Sequence, residues 1–229
     1  MEIERSEIGG SYQEFYGYQE LGVFHSQAEI DAYTNKSGGP IQPNAKPGDL
    51  KWADLDGDGS ITTNDRKSLG LSAPPYTYGI NLSAKYKQFA FNVFGQGVWG
   101  NMIAQDYRRL DYPGSNYQIA AVNAWTPSNQ NSNYPRLTDN DPNGNFKNFS
   151  NFYLQSGAYF RIKTFQLGYA VPTELVKKAK MKNVRVFLSV NNLATITKYN
   201  GYDPEISGGI DNAVYPQART FIMGLNVSL

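Results

Sequence analysis

From Phe221 to the last residue the chain alternates without interruption, and a period of two residues admits a β-strand but not a helix. One face reads Phe221, Met223, Leu225, Val227 and Leu229; the other reads Ile222, Gly224, Asn226 and Ser228. The same pattern recurs upstream. Val184, Val186, Leu188 and Val190 alternate with Arg185, Phe187, Ser189 and Asn191. Tyr76, Tyr78, Ile80, Leu82 and Ala84 alternate with Thr77, Gly79, Asn81 and Ser83. After the short link Lys85-Tyr86-Lys87 come Phe89, Phe91 and Val93 against Ala90, Asn92 and Gln96. A fifth run, Tyr159 to Tyr169, changes parity: Phe160 and Ile162 share one face, Phe165, Leu167 and Tyr169 the other. That change predicts a β-bulge near Lys163-Thr164.

These runs are about ten residues long, close to the ~9–11 with which a tilted strand crosses a bilayer. Strands of soluble sandwiches average nearer 5–6 residues. Two architectures remain, a transmembrane barrel and a soluble sandwich, and loop lengths bear on the choice. Outer-membrane barrels have short periplasmic turns and long external loops. With the C-terminus periplasmic, the long linkers 192–219 and 99–157 both fall outside, and the shorter 171–183 and 85–87 both fall inside. A sandwich has no reason to alternate loop length in this way.

Composition agrees with strands joined by polar loops: 14% aromatic residues, 17 of them Tyr, and only 18% charged. A net charge of +1 and the lack of any basic run give no ground for a nucleic-acid partner. Without cysteine there are neither disulfides nor thiolate metal sites. No apolar run is long enough for a membrane-spanning helix, which leaves barrels untouched because their hydropathy signal is weak. Met1–Glu7 carries neither the basic nor the apolar stretch of a signal peptide. The expectation is therefore either a cytoplasmic chain or part of a longer precursor. Gln27–Tyr33 is expected as a short helix capped by Ser26.

One motif carries sharp chemistry. Asp54-Leu55-Asp56-Gly57-Asp58-Gly59-Ser60-Ile61-Thr62-Thr63-Asn64-Asp65 fits the calcium loop of an EF-hand. Asp54, Asp56 and Asp58 take loop positions 1, 3 and 5, Gly59 the sharp turn at 6, the Ser60 carbonyl position 7 and Asp65 position 12. Thr62 sits at the often water-mediated ninth position, and Ile61 is the apolar anchor. Calcium takes six to eight hard oxygen ligands, and three carboxylates spaced by two supply half of that cage. The competing reading is an Asp/Gly-rich turn held by Asx hydrogen bonds. Asp65 stands where a Glu is usual, and Gly48–Trp52 does not read as an entering helix. Calcium is thus expected as a structural staple, with a Kd of about 10⁻⁴–10⁻³ M.

Several stretches together resemble the SusC-like TonB-dependent outer-membrane receptors just before and through their last barrel strands. They are Gly17–Ser26, Pro47–Lys51, Asp54–Gly59 with Asp65-Arg66, Tyr78-Gly79, Gln96-Gly97, Tyr134-Pro135-Arg136, Ser156–Lys163, Leu167-Gly168-Tyr169, Asn191-Asn192-Leu193, Gly201–Glu205 and Tyr215-Pro216. The resemblance spans nearly the whole chain. It implies roughly the last quarter of a plugged barrel of about 22 strands. It also implies import of glycans, oligosaccharides or peptides across the outer membrane, a SusD-like surface lipoprotein as lid, and energy from TonB through a plug that lies upstream of these residues. Members commonly end in Phe, whereas this chain ends Val227-Ser228-Leu229. On this reading residues 1–75 form an external loop region carrying the calcium loop, and residues 76–229 form C-terminal barrel strands with external loops.

An enzyme is not expected. The single His25 beside Phe24 builds no Ser-His-Asp set, and Asp203-Pro204-Glu205 reads as a turn rather than as paired glycosidase carboxylates. Trp99, Trp125 and Tyr134 would stack on sugars, girdle a barrel or pack within loops. The alternative function is a secreted, calcium-stabilised β-sandwich that binds carbohydrate, whose apolar strand faces would turn inward to a core.

Overall fold

The computed structural model describes residues 3–106, 118–138, 140–178 and 180–228. Leu229, expected to complete the last strand, lies outside them. Five short strands come first: β1 (Glu4–Arg5), β2 (Glu14–Tyr18), β3 (Glu20–Val23), β4 (Leu50–Trp52) and β5 (Arg66–Leu71). Two long ones follow, β6 (Tyr76–Tyr86) and β7 (Phe89–Trp99), then short β8 (Met102–Gln105) and β9 (Leu154–Ser156). The chain closes with β10 (Tyr159–Ala170), β11 (Asn183–Thr197), the brief β12 (Ile210–Asp211) and β13 (Thr220–Ser228). The helices α1 (Gln27–Ala32) and α2 (Thr173–Lys178) are short, and no described helix is long and apolar enough to cross a membrane. The expected cap of α1 is present: Ser26 Oγ accepts from the Glu29 amide at 3.3 Å.

The chain packs as two compact units. One comprises residues 74–101, 156–207 and 213–229 and contains the five long strands in the order β13-β11-β10-β7-β6. All four pairings are antiparallel, and each strand lies beside its neighbour in this series. The links at one end are short, Lys87-Gln88 and 171–182; those at the other are 100–158 and 198–219. β6 runs two residues beyond Ala84 because Tyr86 still pairs with Phe89, and the turn closes on Lys87 in the left-handed region at φ 52°.

Register places all the apolar stripes on one face. Leu82 pairs with Val93, Val93 with Phe165, Phe165 with Val190, and Val190 with Phe221. The expected bulge lies between Ile162 and Thr164, and it widens across the sheet. The same interval is one residue step on β7 (Phe94 to Gly95), two on β10 (Ile162 to Thr164) and three on β11 (Asn191 to Ala194). For that reason β11 does not stop at Asn191, where its alternation breaks. Asn192 turns through φ 53°, and pairing resumes at Ala194 and continues to Thr197. Among the described residues of this unit no second layer covers the apolar face as a whole: Val190 is buried, but Ile80 is 50% exposed, Leu188 39%, Leu225 61% and Val227 45%. A sandwich would bury these residues. The opposite face is mostly polar or small, with Asn81, Ser83, Asn92, Gln96, Gln166 and Asn226 among its residues.

The other unit comprises residues 1–73, 102–155 and 208–212. Residues that read as loop in the sequence here assemble a core around Phe15, Leu50, Trp52, Phe146 and Tyr153. Polar side chains hold that core in place of long ladders. Asp49, fully buried, accepts from Arg136 Nε at 2.6 Å, Asn145 Nδ2 at 2.8 Å and the Lys46 amide at 2.8 Å. Asp141 accepts from the amides of Asn145, Phe146 and Lys147 at 2.7–3.0 Å, so the Asn/Asp run 140–145 is a scaffold as well as a turn.

Glycines in the long sheet make room for its aromatic cross-strand contacts. A Cβ on Gly97 would lie 2.3 Å from the Tyr159 carbonyl oxygen and 2.7 Å from the Tyr78 ring, whereas one on Gly79 meets nothing closer than 3.5 Å. Gly97→Ala should therefore destabilise the fold by about 1–3 kcal/mol through overpacking, and Gly79→Ala should be close to neutral. Thermal unfolding of both variants in detergent micelles reads the difference, and equal midpoints would contradict the packing.

Candidate functional site

The loop 54–65 follows β4 and precedes β5, so strands flank it where an EF-hand has helices. Its own side chains shape it. Asp54 accepts from the amides of Gly57 (2.8 Å) and Gly59 (3.0 Å), Asp56 from Asp58 N (3.1 Å) and Asp58 from Ser60 N (2.8 Å). Each such bond curls the backbone around the carboxylates. Gly59 allows the tightest point: its φ is +88°, and a Cβ there would sit 2.6 Å from Asn35 Cβ.

The structure brings three of the expected ligands together. One carboxylate oxygen each from Asp54, Asp56 and Asp58 lies within 4.8 Å of the others. Oxygens sharing a calcium ion at about 2.3–2.6 Å have comparable separations. Ser60 lies on the same curl through its amide. Asp65 is engaged differently. It is fully buried, and its two oxygens accept from Leu55 N at 2.7 Å and Thr62 N at 2.7 Å, tying the two ends of the loop together. Thr62 caps the following turn by accepting from Asn64 N at 3.1 Å. Ile61 packs against the main core of its unit, as an anchor should.

A second polar centre lies on the polar side of the long sheet, and the sequence reading treated its parts separately. Arg161, only 3% exposed, donates from Nη2 to Asp203 (2.6 Å), from Nη1 to Glu205 (2.7 Å) and from Nε to Thr195 Oγ1 (2.8 Å). Lys163 Nζ donates to both Glu205 oxygens at 2.7 Å. The Asp203-Pro204-Glu205 turn is thus an ion-pair partner, and both of its carboxylates are held by cations. Arg161-Ile162-Lys163 and Asp203-Pro204-Glu205 lie some forty residues apart, and no local pattern links them.

Burial pushes the Asp203 carboxyl up, but the amides of Gln217 and Glu205 and the Arg161 guanidinium together outweigh it and hold the pKa below a free aspartate's 3.8. A lowered carboxylate pKa contributes stability that is full above the unfolded value and is lost as pH falls through the folded one. Denaturation midpoints should therefore drop below about pH 3.8 more steeply for the wild type than for Asp203→Asn. Parallel curves over that window would contradict the assignment.

The aromatic candidates divide. Trp99 is exposed and stacks on Tyr76 at 5.7 Å, at the end of their paired strands. Trp125 lies over Gly48, and Tyr134 is buried edge-on against Phe152 at 5.4 Å, so both belong to loop packing. His25 Nδ1 sits 2.6 Å from the Gln130 carbonyl oxygen, an inter-loop contact.

No protein-family model matches the chain. Individual proteins do. TonB-dependent receptor P3 of Formosa agariphila is 34% identical over 232 residues, covering 96% of this chain and 22% of the relative. TonB-dependent receptor SusC of Bacteroides thetaiotaomicron is 25% identical, covering 98% of this chain and 20% of the relative. Among solved structures, the RagAB peptide transporter superposes with a TM-score of 0.75 at 22% identity, covering 96% of this chain and 23% of that one. The chain thus spans about a fifth of the length of the curated relatives it matches. Over nearly all its residues the chain is homologous to TonB-dependent receptors, SusC among them, and it shares its fold with the RagAB peptide transporter.

Proposed function

We propose that this chain forms C-terminal strands of the outer-membrane barrel of a TonB-dependent nutrient transporter. The observation that carries the reading is the five-stranded antiparallel sheet, with one face apolar and largely uncovered and the other mostly polar. Lipid would take the first face and the barrel interior the second. With the C-terminus periplasmic, linkers 100–158 and 198–219 are external, and Lys87-Gln88 and 171–182 are periplasmic. The transporter's cargo class is glycans, oligosaccharides or peptides, taken up with a SusD-like surface lipoprotein and TonB-derived energy. The names SusC and RagAB peptide transporter support this class. The soluble carbohydrate-binding sandwich is not favoured, because its strand faces would meet in a core. Nothing in the arrangement calls for catalysis.

Chemistry tests the membrane reading directly. Leu82, Leu188, Leu225 and Val227 are exposed together on one face, and soluble monomers rarely show large contiguous apolar patches. Expressed without detergent, the chain should form oligomers or inclusion bodies; in micelles it should remain dispersed. A sharp monomer peak on size exclusion without detergent, with cooperative unfolding, would overturn the proposal.

The loop 54–65 is proposed to hold a structural calcium ion, with Asp54, Asp56, Asp58, the Ser60 carbonyl and Asp65 as the donor set. The convergence of the three aspartates supports it. Asp65 would join the ion by accepting it alongside the amide hydrogens it already binds, since a carboxylate offers about four lone-pair sites. Calcium should then raise the proteolytic resistance of this segment, and Asp56→Ala should remove the gain. Equal resistance in calcium and in excess chelator would refute the site.

A further inference from the structure

We propose that Arg161 is the anchor of a clasp that fastens the linker between β11 and β13 to the polar face of the sheet. The linker leaves Thr197 and returns at Thr220, and its middle, Gly208–Asn212, packs in the other unit. Two arms therefore flank that excursion, residues 198–207 and 213–219. Asp203 joins them to each other and to the sheet. Its Oδ1 accepts from Arg161 at 2.6 Å and from the Glu205 amide at 2.9 Å, and its Oδ2 accepts from the Gln217 amide, fourteen residues on, at 2.9 Å.

Arg161 itself stays in register, opposite Gln96 and Thr195, and two further fastening points are residues that the widening bulge leaves without ladder partners. Lys163, skipped by both neighbouring registers, grips Glu205 through both of its oxygens. Asn192, turned through φ 53°, donates its side-chain amide to the Ala218 carbonyl at 3.0 Å. The bulge thus turns unpaired strand positions into grips on the linker, a role bulges commonly have where they re-aim side chains. Charge balance is local: two cations meet two carboxylates, and buried Arg161 donates from Nε, Nη1 and Nη2 to an oxygen each. Removing one partner from such a set strands a buried charge. The arms are accordingly a fixed wall of the polar face, with a recess of about 320 Å³ between them and Thr195 and Thr197. They are not a free external loop, and this geometry is independent of what the chain carries.

Hydrogen exchange of the full chain in detergent micelles tests the clasp. In the wild type, peptides covering 199–207 and 213–219 should be protected. Asp203→Ala and Arg161→Gln should each speed exchange there by about tenfold or more, while β6 and β7 keep wild-type rates. Arg161→Lys, which retains charge without the planar fork, should fall between. If either variant loses protection across β6 and β7 as well, it has unfolded, and Glu205→Gln, which removes only the outer pair, decides by a smaller acceleration confined to the arms. Unprotected arms in the wild type, or arms left protected in Arg161→Gln, would overturn the clasp.

Discussion

Strand register in the long sheet is the constraint on which the other features depend. A shift of one residue would send every apolar side chain to the opposite face. Here the stripe through Leu82, Val93, Phe165, Val190 and Phe221 is continuous across five strands. It is kept continuous by an irregularity. Phe160 and Ile162 precede the bulge and Phe165, Leu167 and Tyr169 follow it, and only the extra residue between Ile162 and Thr164 puts both groups on one side. The same interruption releases Lys163 and Asn192 from pairing, so one local defect serves both the apolar face and the polar one.

Burying Arg161 on the polar side is costly unless its guanidinium is fully engaged. The sheet itself supplies only Thr195; the linker supplies both carboxylates. Sheet and linker are therefore interdependent: the linker's carboxylates engage the buried cation, and the cation in turn helps hold the linker against the sheet. Hydrogen bonds to charged groups are stronger than neutral ones, typically ~1.5–3 kcal/mol net. Their concentration on one residue explains how a stretch of turn chemistry such as Gly201–Glu205 is held without a ladder of its own.

Legibility followed the range of the interactions involved. Strands such as Tyr76–Tyr86 and Thr220–Ser228 could be read because a half-covered sheet imprints its period on adjacent residues. Parity alone located the bulge in β10, since a face change within one run has no other cheap explanation. The continuation of β11 to Thr197 was hidden, because Asn191-Asn192-Leu193 breaks the local pattern and pairing resumes only through β10. The core of the unit around Trp52 was equally hidden. It joins Asp49 to Arg136 and Asn145 across some ninety residues, and no window of sequence contains that relation. In the loop 54–65, spacing by two foretold the convergence of Asp54, Asp56 and Asp58. It did not foretell the bonds of Asp65 to Leu55 and Thr62, because they close the loop from its far end.

The two outer strands extend this logic. β6 and β13 each pair on one side only within the sheet, so a row of backbone N–H and C=O groups faces outward on both flanks. Soluble proteins blunt such edges with charge, proline or cover. β6 does none of these: Tyr76–Tyr86 is eleven residues long, exposed throughout, free of proline and charged only at Lys85. β13 has no charged residue between Thr220 and Ser228. An uncovered apolar face and two unprotected edges are separate liabilities in water, and each alone would favour association. Both are removed together if further strands continue the sheet on either side and lipid lies against the face, because closure satisfies every edge and the hydrocarbon layer accepts the apolar side chains. The unprotected edges thus support, beside the uncovered face, the proposal that this sheet is an arc of a larger one.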